Sequence, residues 1–250
     1  GWPFACNLQG DAALSQAFDY VDAVSKKDVA RVDGVNRNTT TIRLLLRSYA
    51  RNQASQATIG TIVADMMTND ENEISVKTAG NYLEALRKIF VIEDSVAWNP
   101  NLRSKTAVRT ANTRYFIDPS IGTAVLGLGP KDLINDLNTM GLFFETLCVR
   151  DLRVFAEVLD GEVYHYRDKN GLECDAVIHL RNGKYGLVEI KLGGDKLINE
   201  GAENLLNLAG KINTEKMNDP SFMMVLTGTG DFAYRRKDGV YVVPIGCLRD

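Results

Sequence analysis

Residues 171–194 read GLECDAVIHLRNGKYGLVEIKLGG, and this stretch decides the fold. Two apolar, strand-like runs flank the turn-forming residues 181–184, so the segment predicts a β-hairpin. Asp175, Glu189 and Lys191 lie inside these apolar runs. A charged side chain in such a place is costly unless it is paired or binds a metal. Three charges at the centre of a hairpin therefore require either mutual pairing or a bound cation.

Strand geometry suggests how these three side chains meet. Side chains alternate along a strand, so Glu189 and Lys191 point to the same face. A hairpin can bring Asp175 beside Glu189, and two close carboxylates repel each other unless they share a metal or a proton. Oxygen ligands with open positions favour Mg²⁺ or Mn²⁺, which can activate water for attack on phosphorus. Lys191 can then position that water or neutralise charge in the transition state.

The composition is that of a globular chain without an overall basic character. The 250 residues are 45% hydrophobic and carry a formal net charge of −3, which allows one or two domains. No apolar run reaches the roughly 18 residues of a membrane span, so we expect no membrane partner. Cys6, Cys148, Cys174 and Cys247 are scattered without metal-ligand spacing. This usage favours reduced thiols and a cytoplasmic location.

The first half of the chain is predicted to be mainly helical. Apolar spacings and strand-like runs predict four helices and then two strands, at 10–34, 39–53, 57–67, 74–94, 90–98 and 114–119. Three helices followed by a hairpin predict a winged helix-turn-helix domain over residues 37–125. Residues 1–36 are then a helical linker.

Positive charge concentrates in the predicted winged helix. Residues 37–114 hold eleven basic and seven acidic side chains, or +4, which leaves −7 on the rest of the chain. The loop NLRSKTAVRT at 101–110 carries Arg103, Lys105 and Arg109 and no acid. This loop predicts a wing that contacts nucleic-acid phosphates. A solvated loop on a helical module that binds protein is the alternative.

The second half of the chain has a mixed α/β pattern. A helix, three strands, a helix and two strands are predicted at 131–160, 162–168, 172–180, 185–193, 199–213, 222–228 and 239–248. This order predicts one mixed α/β domain over residues 126–250.

The charged hairpin resembles a known motif. Asp175, followed by Glu189-Ile190-Lys191 on the next strand, is similar to the D…E-x-K motif of the PD-(D/E)xK, restriction-endonuclease-like superfamily. The predicted αβββαβ order also resembles the core of that superfamily. Cys174 stands where the proline of the motif is usual.

That resemblance implies a role for each residue of the motif. It implies that Asp175 and Glu189 bind Mg²⁺ (or Mn²⁺), with the backbone carbonyl of Ile190 as a further ligand. It also implies that Lys191 is catalytic and that Glu145, on the preceding helix, completes the site.

A second resemblance covers nearly the whole chain. GWP at 1–3, FDYVDAV at 18–24, RYFIDPSIG at 114–122 and the series GLFFE…GLECD…VEIK resemble a family of bacterial and archaeal predicted P-loop ATPases. In that family a C-terminal domain of unknown function follows an AAA-type ATPase module. The resemblance implies that these residues are the C-terminal part of an ATP-binding protein, with the ATPase module in cis. The sequence contains no G-x-x-x-x-G-K-[ST] phosphate loop, so we expect no ATP site of that kind in it.

Two functions remain open at the level of the sequence. In the first, the chain is a metal-dependent phosphodiesterase that cuts DNA or RNA, and the winged helix holds the duplex. In the second, it is a non-catalytic regulatory module that docks DNA or a protein for the ATPase. The intact Asp175, Glu189 and Lys191 favour the first function, and the acidic balance favours the second.

Overall fold

The chain folds into two compact units. A computed structural model describes residues 2–32, 34–35, 37–67, 74–100, 111–212 and 217–249. Gly1–Asp94 and Thr113–Thr146 form the first unit, and Ser95–Asn112 and Leu147–Asp250 form the second. We call them the helical unit and the sheet unit. Each contains its own cluster of buried hydrophobic side chains.

The helical unit is built from short helices. Their bounds, with one 3-10 turn and one π-helical turn, are Pro3–Asn7 (3-10), α1 Asp11–Ala23, Val24–Asp28 (π), α2 Val29–Arg31, α3 Thr39–Arg51, α4 Ile59–Met67, α5 Val76–Lys88, α6 Pro119–Leu126 and α7 Pro130–Asn135. Helix α8, Leu137–Val158, begins in this unit and ends in the sheet unit.

Side-chain caps fix where the central helices begin. The Asn38 side chain caps α3 by accepting a hydrogen bond from the N–H of Thr41. Ser75 caps α5 in the same way, through the N–H of Thr78. Both helices bury an apolar face in one cluster with α4. The helices predicted at 39–53, 57–67 and 74–94 are therefore confirmed, the last of them ending at Lys88.

The region after α5 differs from its prediction. Residues 90–98 and 114–119 were expected to be two strands. Within the described residues they form no full strand, but they pair through an antiparallel bridge between Ile92 and Phe116 and through backbone hydrogen bonds from Glu93 N–H to Tyr115 O and from Ile117 N–H to Val91 O. From Pro119 the chain instead forms α6, which sequence patterns did not predict. Asp118 caps this helix through the N–H of Ser120, and Gly127 ends it at a φ of 70°. An Asp-Pro start and a glycine end are local signals that would have identified α6.

The sheet unit holds a six-stranded mixed sheet within the described residues. Its elements are β1 Gly161–Arg167, β2 Glu173–Leu180, β3 Tyr185–Lys191, α9 Asp195–Lys211, β4 Phe222–Thr227, β5 Tyr234–Arg235, β6 Tyr241–Pro244 and a 3-10 turn at Ile245–Cys247. The strands lie in the order β1-β2-β3-β4-β6-β5. The pairs β1–β2, β2–β3 and β6–β5 are antiparallel. The pairs β3–β4 and β4–β6 are parallel.

Helix α9 covers the middle of the sheet on one face. It packs against β2, β3 and β4, with Ala202 and Leu205 fully buried. Gly201 allows the close approach, because a Cβ there would lie 3.4 Å from the Cβ of Glu189 and 3.3 Å from Cγ2 of Val225. The helix is thereby held directly over the strand that carries Glu189.

A short extended segment borders the sheet next to β1. Ala97 forms a parallel bridge with His165, and the Trp98 N–H donates to the His165 carbonyl at 2.6 Å. The Trp98 indole is buried against Tyr166 and Tyr185. Residues 95–98 were predicted as part of a strand leading into the wing. They contribute instead to the core of the sheet unit.

The fold confirms the coarse class that the sequence predicted, which is mixed α/β. The finer division into a linker at 1–36, a winged helix at 37–125 and a nuclease-like domain at 126–250 stays a prediction. All four cysteines are free thiols. Among the described residues, no helix has both the length and the apolar composition that crossing a bilayer requires.

Candidate metal centre

The β2–β3 hairpin forms as its sequence predicts. The N–H of Leu180 donates to the Lys184 carbonyl at 2.8 Å, and the N–H of Gly183 donates to the Leu180 carbonyl at 2.9 Å. Gly183 has a φ of +82°, which a residue with a side chain rarely adopts. The turn sets the register in which Ala176 pairs with Val188. The positions of Asp175 and Glu189 follow directly from that register.

The three charged side chains of the hairpin meet at one place. Nζ of Lys191 lies 2.7 Å from Oε2 of Glu189 and 3.6 Å from Oδ2 of Asp175. The same Oδ2 accepts a hydrogen bond from the N–H of Ile190 at 2.7 Å. The Glu189 side chain is only 4% exposed, whereas those of Asp175 and Lys191 are 19% and 25% exposed. The cluster is thus buried at Glu189 and open to solvent at its other two members.

Glu189 is held in an unfavourable environment for a carboxylate. The pKa of Glu189 is raised from 4.5 to about 7, first by burial and then by the nearby charge of Asp175. The Lys191 ammonium and the Asn204 amide oppose this rise without cancelling it. One lysine does not balance two carboxylates, so the cluster retains an attraction for additional positive charge.

Asn204 is a member of the site that the sequence analysis missed. Its side-chain N–H₂ donates to Oε1 of Glu189 and to the backbone carbonyl of Glu173, each at 2.7 Å. It therefore ties α9 to both strands of the hairpin and fixes the Glu189 carboxylate. Asn204 precedes the buried Leu205 on an amphipathic helix, but only the packing of α9 on the sheet shows which groups it meets.

The donor set fits a hard divalent cation. Asp175 and Glu189 supply carboxylate oxygens on neighbouring strands, and Oδ1 of Asp175 has no hydrogen-bond partner within the described part of the chain. The described residues contain no group of three or more His, Cys, Asp or Glu side chains suited to a metal. Further ligands would have to be water or a backbone carbonyl such as that of Ile190. Few protein ligands and several waters are typical of Mg²⁺ sites.

Glu145 and the predicted wing were also expected to contribute to the site. Glu145 belongs to the helical unit, where its Oε1 accepts a hydrogen bond from the Tyr115 hydroxyl at 2.5 Å. Its part in the site stays a prediction. Arg103, Lys105 and Arg109 lie outside the described residues, so their contact with phosphates also stays a prediction.

Comparison with protein families assigns both halves of the chain. Residues 1–132, more than half of the sequence, match the family described as Domain of unknown function (DUF8612). The chain belongs to this family. Residues 140–248 of this DUF8612 protein match a second family, Domain of unknown function (DUF4143), which occurs in AAA-type ATPase contexts. No curated protein matches the chain.

The candidate metal centre of this DUF8612 protein lies entirely in the DUF4143 match. Asp175, Glu189, Lys191 and Asn204 all fall within residues 140–248. Two carboxylates, one ammonium and one amide at the solvent-accessible end of a hairpin can hold a cation. They can also present a positive charge to an anionic substrate.

Proposed function

We propose that the sheet unit is a phosphodiesterase domain that uses Mg²⁺ or Mn²⁺ to cleave DNA or RNA. In this proposal the run from α8 through β1, β2, β3, α9 and β4 is a PD-(D/E)xK, restriction-endonuclease-like core. One observation carries the proposal. Two carboxylates on neighbouring strands converge on Lys191, and the inner one, Glu189, is almost fully buried.

Each residue of the cluster has a role in this proposal. Asp175 and Glu189 hold the cation, and Asn204 keeps the Glu189 carboxylate oriented toward it. When bound, a divalent cation supplies Lewis-acid stabilisation of phosphate charge and lowers the pKa of water. Lys191, a quarter exposed, is near enough to the carboxylates to orient a water molecule or to donate to a phosphate oxygen.

The helical unit has a place in the same proposal. After helices α3, α4 and α5, two extended segments are joined by backbone hydrogen bonds. The Glu93 N–H donates to the Tyr115 carbonyl at 2.9 Å, and the Ile117 N–H donates to the Val91 carbonyl at 3.1 Å. We propose that this is a winged helix whose loop at 101–110 binds nucleic-acid phosphates. The occurrence of DUF4143 in AAA-type ATPase contexts supports an ATPase module in cis.

Cleavage by point variants of the site tests the proposal. The chain, alone and joined to the proposed ATPase module with ATP, is incubated with plasmid, linear DNA and RNA in the presence of Mn²⁺. Glu189→Ala and Lys191→Ala are expected to lower cleavage at least about a hundredfold, the scale of losing one positioned catalytic group. Glu173→Ala is the matched control, since that β2 carboxylate is 47% exposed and pairs with Arg167. Cleavage that is absent throughout, or equal in all variants, would contradict the proposal.

A non-catalytic docking module is the second candidate. Lys191 lies within 4 Å of both carboxylates, and such a cluster is partly satisfied without metal. In this reading the sheet unit recognises DNA or a protein on behalf of the ATPase. The same experiment distinguishes the two functions, because a docking module retains its ligand in Mn²⁺ and produces no cleaved product.

A further inference from the structure

Three exposed aromatic rings occur on the β5–β6 hairpin, at the edge of the sheet farthest from β1, and two of them lie together. Phe232, Tyr234 and Tyr241 are 69%, 42% and 40% exposed. The rings of Phe232 and Tyr234 are 6.2 Å apart, centre to centre, and tilted by 59°. Large aromatic side chains are costly to leave in water, so a pair of them on one short hairpin indicates a contact surface.

The register of the sheet places Tyr234 on the same face as Glu189. Glu189 on β3 pairs with Val225 on β4. Val225 pairs in turn with Val242 on β6, and Val242 pairs with Tyr234 on β5. Paired residues of neighbouring strands point to the same face, so Glu189 and Tyr234 belong to one row of side chains. Three strand spacings separate them, which is roughly 14 Å.

Two contacts support this placement independently of the register. Nη1 of Arg236, two residues after Tyr234, donates to Oδ1 of Asn199 on α9 at 2.6 Å. The same helix contacts Glu189 through Asn204, so α9 marks the face that both ends of the row share. The segment that leads to Phe232 begins against the end of β3, where the Gly228 N–H donates to the Lys191 carbonyl at 3.3 Å.

Basic side chains accompany the aromatic pair. The run Arg235-Arg236-Lys237 follows Tyr234 directly, whereas the acids of this hairpin are Asp231 and Asp238. Asp238 is engaged by Arg236, at 2.9 Å from its Nη2. The Arg235 guanidinium lies over the Tyr241 ring, 5.4 Å from its centre. Arg235 lies on the face of β5 opposite Tyr234, and β5 is the edge strand of the sheet, so this basic run borders the edge that carries the aromatic pair.

Exposed rings beside arginine and lysine match the chemistry of single-stranded nucleic acid. Unpaired bases stack on aromatic side chains, and the phosphates between them bind basic groups. A duplex offers no free base faces to such rings. A protein partner would gain from the basic residues only if it carried acidic groups beside an apolar patch, whereas every strand of nucleic acid supplies both bases and phosphates.

We propose that Phe232 and Tyr234 form a stacking platform for unpaired bases of single-stranded nucleic acid, with Arg235 and Lys237 near its phosphates. The platform lies on the same face as the candidate metal centre. The inference rests on the proposed function for the nature of the ligand, and it adds that the bound strand is single-stranded beside the site.

Binding of a fluorescent oligonucleotide tests the platform. The full chain is titrated, in EDTA to prevent cleavage, into single-stranded oligothymidylate that carries one 2-aminopurine. The Phe232→Ala/Tyr234→Ala double variant is expected to bind at least about tenfold more weakly and to lose the change in 2-aminopurine emission. The ring-conserving variant Phe232→Tyr/Tyr234→Phe is expected to bind like the wild type. Phe4→Ala, which removes another highly exposed ring, is the matched control.

Each outcome of the titration decides the inference. Equal binding by the wild type and the double alanine variant, no binding by the wild type, or equal preference for duplex overturns the platform. An RNA oligonucleotide of equivalent sequence shows which sugar is preferred. Cleavage in Mn²⁺ is measured separately. Ring-dependent binding without cleavage supports the platform and contradicts the phosphodiesterase. Cleavage without ring-dependent binding supports the phosphodiesterase and contradicts the platform.

Discussion

At the scale of single residues, Asn204 explains why Glu189 can remain a buried carboxylate. It satisfies one oxygen of Glu189, while Lys191 pairs with the other. The same amide group also donates to the Glu173 carbonyl. Removing it would leave a buried carboxylate oxygen without its partner, a loss that costs about 1–3 kcal/mol, whereas water can replace the amide at the exposed Glu173 carbonyl.

We therefore predict that Asn204→Ala lowers the free energy of unfolding of the sheet unit by about 1–3 kcal/mol. Asn204→Asp is expected to be worse, because a third carboxylate would face Glu189 and Asp175. The measurement is urea unfolding followed by Trp98 fluorescence in a Trp2→Phe background, where Trp98 is the one remaining tryptophan. Asn207→Ala, on the exposed side of the same helix, is the control. Equal stability of Asn204→Ala and Asn207→Ala would refute the role of Asn204.

A second residue links the stability of the sheet unit to pH. His165 is 3% exposed, its Nδ1 lies 3.1 Å from the Ser95 carbonyl, and its Nε2 has no hydrogen-bond partner among the residues that the structure describes. Burial lowers the pKa of His165 below its usual value of 6.5. Between that lowered pKa and 6.5, the unfolded chain binds more protons than the folded one, so the stability contributed by neutral His165 is lost as the pH falls.

The free energy of unfolding is expected to decrease as the pH drops below about 6.5. This decrease is expected to be smaller in His165→Gln than in the wild type. Unfolding in urea between pH 5 and pH 8 measures it. The chain has one other histidine, His179, so His179→Gln provides the control. If both substitutions leave the same pH dependence as the wild type, His165 does not carry it.

At the scale of elements, the segment 95–98 is an integral part of the sheet unit. Trp98 is 7% exposed and packs against Tyr166 and Tyr185. Val96, two residues earlier, is 54% exposed, although its carbonyl accepts a hydrogen bond from the His165 N–H at 3.0 Å. The stabilising contribution of the segment therefore lies mainly in the indole ring.

Trp98→Ala is predicted to destabilise the sheet unit by about 3–5 kcal/mol, the usual cost of truncating a buried aromatic side chain. Val96→Ala should change the free energy of unfolding by less than about 0.5 kcal/mol, because it keeps the backbone hydrogen bond and removes an exposed side chain. Far-UV circular dichroism in urea reports both values. Similar losses for the two variants would mean that the segment acts through its backbone alone.

The elements also show which parts of the fold a sequence can predict. The β2–β3 hairpin was predictable because its turn and its apolar alternation are local features of 173–191. The strands at 90–98 and 114–119 were predicted from equally local features. Their pairing is limited to the residues around Ile92 and Phe116, because Ala97 pairs instead with His165 on β1, far along the chain. Strand β5 has two residues and leaves no periodic pattern to read. Asn204 was missed for the same physical reason, since its partners are defined only by how α9 packs on the sheet.

At the scale of the whole molecule, each compact unit is built from two separate segments of the chain. The sheet unit takes Ser95–Asn112 from the first half of the chain and Leu147–Asp250 from the second. A fragment of residues 126–250 would retain every strand of the sheet but lack Trp98 and its bonds to β1. Its core would be exposed next to Tyr166 and Tyr185.

We predict that the 126–250 fragment is less stable than the same unit in the full chain, and that a synthetic peptide of residues 94–100 raises its melting temperature in a saturable manner. The same peptide with Trp98→Ala should have a much smaller effect. Differential scanning fluorimetry over a range of peptide concentrations measures both. A fragment whose melting temperature does not respond to either peptide would contradict the assignment of residues 95–98 to this unit.

The central claim is that Asp175 and Glu189 form one divalent-cation site. Titration of the full chain with Mn²⁺, followed by the electron paramagnetic resonance of free Mn²⁺, measures it directly. We expect one ion per chain that Mg²⁺ displaces, at least about tenfold weaker binding in Asp175→Asn and in Glu189→Gln, and unchanged binding in Glu173→Gln. Absence of binding to the wild type, or equal binding by all four proteins, would contradict it.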